Sequence, residues 1–356
     1  MSSILKGNKL NVTVFGQSHS ESIGAVIDGL PAGIEIDSEA VKKFMQRRAP
    51  GQNIFSTMRK EADTPKVLSG IANGVTCGAP LCIKIDNTNT KSEDYENLKL
   101  LPGPSHSDYA AYVKFGGNND IAGGGQFSGR LTAPLCYAGA VCMQILKTKG
   151  VTVKSHIYSI KDVKDEPFDG ENLYDDEISF DPFFPVISRF KGEQMKTVIE
   201  IARQNCDSVG GIIECAVLGL PAGLGEPMFD GIENVISKNI FGIPAVKGIE
   251  FGSGFSGTEK YGSQNNDDFT VIDGEIKTLT NNHGGILGGI TSGMPVVFRA
   301  AIKPTASIAS AQQSVNLKTM KEEELKIKGR HDPCIVPRAV PAVEAVTAIT
   351  VLDLLL

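Results

Sequence analysis

Ser22-Ile-Gly24-Ala-Val-Ile-Asp-Gly29-Leu-Pro-Ala-Gly33 returns later in the chain as Ser208-Val-Gly210-Gly-Ile-Ile213, which soon reaches Gly219-Leu-Pro-Ala-Gly223. Each copy is an apolar run ending in a turn built from glycine and proline, the two residues that preset turn geometry. Two further stretches recur in the same order. Gly74-Val-Thr-Cys-Gly78-Ala-Pro80 resembles Gly289-Ile-Thr-Ser-Gly293-Met-Pro295, and Arg130-Leu-Thr-Ala-Pro134 resembles Arg338-Ala-Val-Pro-Ala342. Chance likeness between turns would not preserve that order. Each half therefore reads as strands, a Gly-Leu-Pro-Ala-Gly turn, a helix, more strands and a long apolar helix. The predicted fold is α+β: one domain over residues 1–356, made of two interlocked copies (about 10–150 and 206–356) related by a pseudo-twofold axis.

Local signals support the helices. Asp37 or Ser38 can cap a helix running through Arg47, and Pro134 and Pro341 are expected in first turns, where proline is tolerated. Residues 155–204 have no counterpart in the other half and read as an insertion, richer in acidic and aromatic residues. Phe183-Phe184-Pro185-Val186-Ile187 would be poorly placed in water, so this insertion should be folded rather than a linker.

Composition narrows the function. The 356 residues carry a net charge of −6 with a pI near 5.5, which argues against nucleic acid or an anionic membrane as partner. The apolar C-terminal stretch Ala339–Leu356 contains Pro341, Glu344 and Asp353 and reads as a buried helix, not a membrane span. Met1–Leu10 has no apolar run of the secretory kind. Seven cysteines without a C-x-x-C pair read mostly as small buried hydrophobes, so a reduced, cytoplasmic protein is expected.

Arginine is scarce, nine against twenty-six lysines, and its placement is uneven. Arg47, Arg48, Arg59, Arg130 and Arg330 fall in short stretches punctuated by glycine and proline. His19 and His106 occupy similar loops, and His331-Asp332 follows Arg330. Guanidinium forks match phosphate and carboxylate, and imidazole exchanges protons near neutral pH. The pattern points to a small polyanionic ligand handled by loops, with acid–base chemistry beside it. His19, after the strand Leu10–Phe15, either faces a ligand or is a hydrogen-bonded turn histidine; His106 stands equally open. His156 is expected to flank a strand at the surface; His283 either lines the same cleft or only serves its own polar, glycine-rich loop.

Other motifs are weaker. Gly252-Ser-Gly254-Phe-Ser-Gly257 follows a strand over Ala245–Phe251, but a dinucleotide site needs a helix to open there. Thr258–Asp268 is polar and interrupted by Gly262, so no such helix is expected. Five histidines without paired spacing imply no metal site. Gly123-Gly-Gly-Gln-Phe-Ser-Gly129-Arg130 precedes a helix of about 20 residues and is either an anion site or a hinge. Lys303-Pro304-Thr305-Ala306-Ser307, after the strand Val296–Ile302, offers a cation and two hydroxyls as a phosphate cradle.

Taken together, Phe15-Gly-Gln-Ser-His19, Arg47-Arg-Ala-Pro-Gly51, Arg59-Lys-Glu-Ala-Asp63, Ser105-His-Ser-Asp-Tyr109, Gly123-Gly-Gly125, Lys303-Pro-Thr305 and Gly329-Arg-His-Asp-Pro-Cys334 resemble the chorismate synthase family, from about Leu10 to Leu356. The resemblance implies a β-α-β sandwich, typically tetrameric. It also implies an anti-1,4-elimination in which 5-enolpyruvylshikimate 3-phosphate loses phosphate and the 6-pro-R hydrogen. Reduced FMN is required, although no net redox occurs. On matching positions, His19 would protonate the departing phosphate, His106 would hold a proton against flavin N1, and Asp332, near N5, would assist removal of the C6 proton. Arg48, Arg130 and Arg338 would clamp substrate anions. FMN contacts would fall on Gln126, Phe127, Ser128, Pro244, Ala245, Gly288, Lys303, Pro304, Thr305, Ala306, Ser307 and Arg330.

The sequence departs from the family's pattern where Ala49, Ile54, Gly103 and Gln126 replace usual arginines and where Gln17 and Ser20 flank Ser18-His19. No extra flavin reductase domain is evident, so an external reductant is implied, with NADPH as an indirect source. The rival readings are a binding protein that holds flavin or a phosphorylated ring acid without turnover, and a different phosphate lyase on the same scaffold.

Overall fold

Leu81, Ile83 and Ile85 alternate with half-buried Cys82, Lys84 and Asp86, and Val296, Phe298, Ala300 and Ile302 alternate in the same way. A period of two buries one face of a strand. These two strands hold corresponding places in two five-stranded antiparallel sheets. The computed structural model describes residues 3–51, 63–88, 98–170, 172–174, 181–327 and 332–356. Expectations for Ile54, Arg59, Arg330 and His331 lie outside the described residues.

The first sheet contains β1 (Ile4–Lys6), β2 (Asn11–Gly16), β3 (Ser22–Asp28), β4 (Pro65–Ser69) and β5 (Leu81–Asp86), in the order β1-β2-β3-β5-β4. The second contains β6 (Thr152–Ile160), β7 (Val163–Lys164), β8 (Gly211–Leu218), β9 (Val246–Phe251) and β10 (Val296–Ile302), in the order β9-β10-β8-β6-β7. Reversed, that order matches the first sheet position for position. The strand β6 takes the place of β2, so the stretch read as an insertion begins with a working strand of the second sheet. That stretch also supplies β7 and a helix, and its Phe184 and Val186 enter the core.

The repeated turns are held by the same bonds in both copies. Thr76 donates its hydroxyl to Pro31 O (2.7 Å) and accepts from Ile34 N (2.9 Å). Thr291 donates to Pro221 O (2.7 Å) and accepts from Leu224 N (2.9 Å). This explains why the threonine recurs together with the glycines.

The larger helices are α1 (Ser38–Arg48), α2 (Asp108–Phe115), α3 (Thr132–Thr148), α4 (Arg189–Gln204) and α5 (Ile232–Ile240), followed by the single turn α6 (Gly262–Asn265) and by α7 (Val336–Leu355). Asp37 caps α1, accepting from Glu39 N and Ala40 N. α3 packs on the first sheet, α7 on the second, and the two helices pack on each other to form the layer between the sheets. A Cβ on Gly139 of α3 would overlap the backbone of Ala345 in α7, so glycine permits the approach. α7 is apolar on nearly all sides, as befits a helix buried in a core. Its charges are answered. Glu344 accepts a fork of two bonds from Arg47 (2.6 and 3.0 Å) and one from Ser155 Oγ (2.9 Å). Asp353 accepts from the backbone N–H groups of Asn8, Lys9 and Leu10 at 2.7–2.9 Å, tying the last helix to the start of the chain. Among the described residues no helix is long and apolar enough to cross a membrane.

Several expectations need correction. Pro341 lies inside α7, in its second turn, and Pro337 takes the first-turn position. After β9 only a 3₁₀ stretch, Gly254–Glu259, and the four-residue α6 follow, so the long helix a dinucleotide site needs does not open there, as expected. Most cysteines are buried as expected (Cys136, Cys142, Cys215 and Cys334), with Cys77 and Cys206 as exposed exceptions. His156 is not at the surface. It lies within β6, 1% exposed, and its ring nitrogens meet Asp165 (3.3 Å) and Glu214 (3.0 Å). Burial disfavours its charged form, but bonds to the two carboxylates outweigh that and raise its pKa above the ordinary value.

Gly139→Leu should lower stability by roughly 1–3 kcal/mol or more, because overpacking forces backbone shifts. Urea denaturation checks this; an unchanged midpoint would show that α3 and α7 do not meet there.

Candidate active site

Loops from both halves enclose a cavity of about 690 Å³, within the roughly 300–1,000 Å³ typical of small-molecule sites. The first half supplies Ser18, Arg48, Ser105–Ser107, Gly123, Gln126–Arg130 and Thr132. The second supplies Phe241–Lys247, Lys303–Ser307, Ile327, Asp332 and the opening turns of α7, including Arg338.

The helix starts fix most of this geometry. α3 opens just after Arg130, and α7 opens just after Asp332, so the close packing of α3 on α7 brings both starts to the cavity. The glycine run does not open α3 directly. Gly123, Gly124 and Gly125 take φ values of 61°, 82° and 52°, left-handed backbone, and a separate 3₁₀ turn (Gly129–Leu131) leads into the helix. The run packs against both loop histidines. A Cβ on Gly123 would fall 2.7 Å from His19 Nε2, and one on Gly124 would fall 3.4 Å from His106 Nε2. His106 and Asp332 line the cavity; His19 is half-buried behind Gly123, beside Ser18, which lines it.

The arginines converge, and carboxylates hold them. Arg48, 3% exposed, donates Nη1 to Asp63 (2.6 Å), Nε to Thr132 Oγ1 (3.0 Å) and Nη2 to Gly129 O (3.0 Å). Arg130 donates Nη1 to the other oxygen of Asp63 and Nε to Asn87 Oδ1. Arg338 donates Nη1 to Asp332 (2.7 Å) and Nε to Arg48 O (3.1 Å). Asp63 reaches its bridging position on left-handed backbone, φ 47°, which aspartate tolerates better than most residues. Burial raises the Asp63 pKa, but the guanidinium groups of Arg48 and Arg130 outweigh it and hold the carboxyl below the ordinary carboxylate range. Burial pushes Arg338 down, with Asp332 working the other way. It lowers Lys303 as well, helped by the neighbouring Lys247. Arg48, Arg130, Arg338, Lys247 and Lys303 set against Asp63 and Asp332 leave the described site with excess positive charge.

The site residues named from sequence mostly gather here. Gln126, Phe127, Ser128, Pro244, Ala245, Lys303, Pro304, Thr305, Ala306 and Ser307 all line the cavity. Gly288 does not; it lies at the tip of the hairpin Ile286–Leu287/Ile290–Thr291 with open space beside it. His283 is also elsewhere, close to Asp267, its Nδ1 accepting from Gly285 N at 2.8 Å, because its glycine-rich loop folds back on itself. Arg47 points away and is spent on Glu344.

The donor set suits a phosphate-bearing aromatic cofactor. Thr305 Oγ1 is buried with no hydrogen-bond partner among the described residues, two positions from the Lys303 ammonium. An orphaned buried hydroxyl beside a cation is what an anionic oxygen would satisfy. Ala245, on left-handed backbone at φ 74°, accepts from Lys303 N (3.0 Å) and holds the neighbouring loop against this cradle. Phe127, Ile327, Ile335, Ala339 and Ala342 give apolar wall for a ring system.

The sequence pattern of the chorismate synthase family matches residues 10–356. The chain belongs to the chorismate synthase family. It is 44% identical over 365 residues to the chorismate synthase of Lancefieldella parvula, covering 98% of this chain and 95% of that one. It is 45% identical to those of Korarchaeum cryptofilum (98% and 96% covered) and Pyrococcus abyssi (99% and 97%). A crystal structure of chorismate synthase superposes with a TM-score of 0.73 at 26% identity, covering 98% of this chain and 92% of that one. The α+β fold predicted from the repeat is thus that of the family, as is the sandwich that the resemblance implied.

Two buried carboxylates escaped sequence reading. Asp63 was visible in the Arg59–Asp63 motif and Asp108 in Ser105–Tyr109, yet neither spacing shows that one bridges two arginines or that the other contacts His106.

Asp63→Asn should cost about 3–5 kcal/mol at neutral pH, the range for breaking a buried ion pair. A carboxyl whose folded pKa is depressed contributes its stability above the unfolded value, near 3.8, and loses it as pH falls through the lower folded value. The gap between wild type and variant, followed by denaturant titration, should therefore hold steady above about pH 5 and close in stronger acid. A gap of the same size in acid, or none at pH 7, would remove Asp63 from this role.

Proposed function

We propose that the cavity converts 5-enolpyruvylshikimate 3-phosphate to chorismate, the last common step toward the aromatic amino acids. One observation carries the reading: His106, Asp332 and a surplus of cations from both halves line one cavity, with His19 packed against Gly123 of the same lining. A carbon–oxygen lyase of this kind must grip a substrate with one phosphate and two carboxylates, and fork-shaped cations suit that load.

In this reading Arg48, Arg130 and Arg338 bind the substrate's anionic groups, pre-aimed by Asp63 and Asp332. His19 donates a proton to the departing phosphate as the C3–O bond breaks, so the leaving group carries less charge. Asp332 assists departure of the 6-pro-R proton; the C6–H pair forms a C1–C6 double bond, the existing C1–C2 double bond shifts to C2–C3, and the C3–O pair leaves with the phosphate. His106 holds a proton toward the cavity. The cofactor is reduced FMN, bound by Gln126–Ser128, Pro244, Ala245 and Lys303–Ser307, with Gly288 and Arg330 as further contacts. When bound, it supplies an electron and takes it back, so no net oxidation results. An external reductant maintains the flavin, with NADPH as its indirect source. The enzyme works in the cytoplasm as a homotetramer.

Anaerobic incubation with chemically reduced FMN and 5-enolpyruvylshikimate 3-phosphate should release chorismate and phosphate in equal amounts. His106→Ala should slow that turnover by about 10²-fold or more, the usual worth of a general acid–base group. Flavin binding without product would favour a non-catalytic binding protein, and wild-type rates in the variant would remove His106 from the chemistry.

A further inference from the structure

The turn that carries His106 is unusually well tied down. Ser105 sits on left-handed backbone at φ 57°, and its carbonyl accepts from Lys303 Nζ (2.5 Å), at the end of β10 in the other half. Ser314 Oγ donates to Pro102 O at 2.7 Å. Asp108, the first residue of α2 and only 7% exposed, closes the turn from within. One of its oxygens accepts from Gly103 N (3.0 Å) and the other lies 2.5 Å from His106 Nδ1.

From this we infer that Asp108 is a positioning residue that fixes the ring orientation and tautomer of His106. A carboxylate can only accept a hydrogen bond, so the contact requires the proton of the neutral ring to reside on Nδ1. Nε2 is then the working nitrogen; it lies against Gly124, and the His106 ring itself lines the cavity. Oδ2, bound to the Gly103 amide, cannot swing away, so the ring is held at both the backbone and the side chain. The hydroxyl of neighbouring Ser107 makes no hydrogen bond among the described residues and offers Nδ1 no alternative partner. What the imidazole does in turnover rests on the chorismate synthase reading; how it is held does not.

The test is Asp108→Asn, with Asp108→Glu beside it. Asparagine can keep an oxygen on Gly103 N while turning its NH₂ toward Nδ1, which favours the Nε2–H tautomer. Histidine-labelled protein without ligands, observed by ¹⁵N NMR at alkaline pH, should show His106 in the Nδ1–H form in wild type and shifted toward Nε2–H in Asp108→Asn. With chemically reduced FMN, Asp108→Asn should lose about 10²-fold or more in kcat, comparable to loss of a general acid–base group, while the substrate KM changes only a few-fold. Asp108→Glu should recover part of the rate. An unshifted tautomer in Asp108→Asn, or a shifted tautomer with wild-type kcat, would overturn the proposal. The NMR arm uses no substrate, so a wild type that makes no chorismate would defeat the proposed function without obscuring how His106 is held.

Discussion

The contact between Gly139 and Ala345 sets the geometry on which everything else depends. Two long helices, one from each copy of the repeat, approach so closely that a side chain at Gly139 would collide with the backbone of α7. Each helix also covers its own sheet, so one contact joins the two halves of the sandwich. The same contact fixes where the helices begin. Arg130 precedes α3 and Asp332 precedes α7, and both residues meet at one cavity, with Arg338 in the opening turns of α7. Neither copy builds this site alone. The two halves carry sheets of the same strand order, and unlike loops from both line the cleft.

Charge in the cleft is abundant but restrained. Arg48 and Arg130 share the buried carboxylate of Asp63, while Arg338 leans on Asp332. Unpaired buried guanidinium groups would carry a heavy desolvation penalty, and partial neutralisation lessens it. The carboxylates also fix the forks in direction before any ligand arrives, which reduces the ordering needed on binding. Lys247 and Lys303 complete the positive side, and Thr305 of the same lining has a buried hydroxyl with no hydrogen-bond partner among the described residues. A ligand rich in negative oxygen would be received by groups already in position.

Much of this was legible in the sequence, for physical reasons. The repeat showed because its turns demand glycine, proline and a latching threonine, and such demands leave a local trace at Thr76 and Thr291. His106 and most of the cavity lining showed because polar residues in Gly/Pro loops have few structural duties. What stayed hidden depends on pairing across the fold. β6 fills the place of β2, but a strand's neighbours are not written in its own residues. His156 sits in a strand like any other until Asp165 and Glu214 close around it. Arg47 and Arg48 adjoin in sequence, yet successive helix positions face different ways; one braces Glu344 and the other reaches the cavity.

The claim that both copies of the repeat grip one polyanionic ligand is tested most directly by calorimetry of 5-enolpyruvylshikimate 3-phosphate binding to Arg130→Ala and Arg338→Ala, each confirmed folded. Arg130 belongs to the first copy and Arg338 to the second, and each variant should bind about tenfold more weakly or worse, as expected when a buried charged partner is removed. Wild-type affinity in either variant would contradict the account, because that half of the molecule would then have no hold on the substrate.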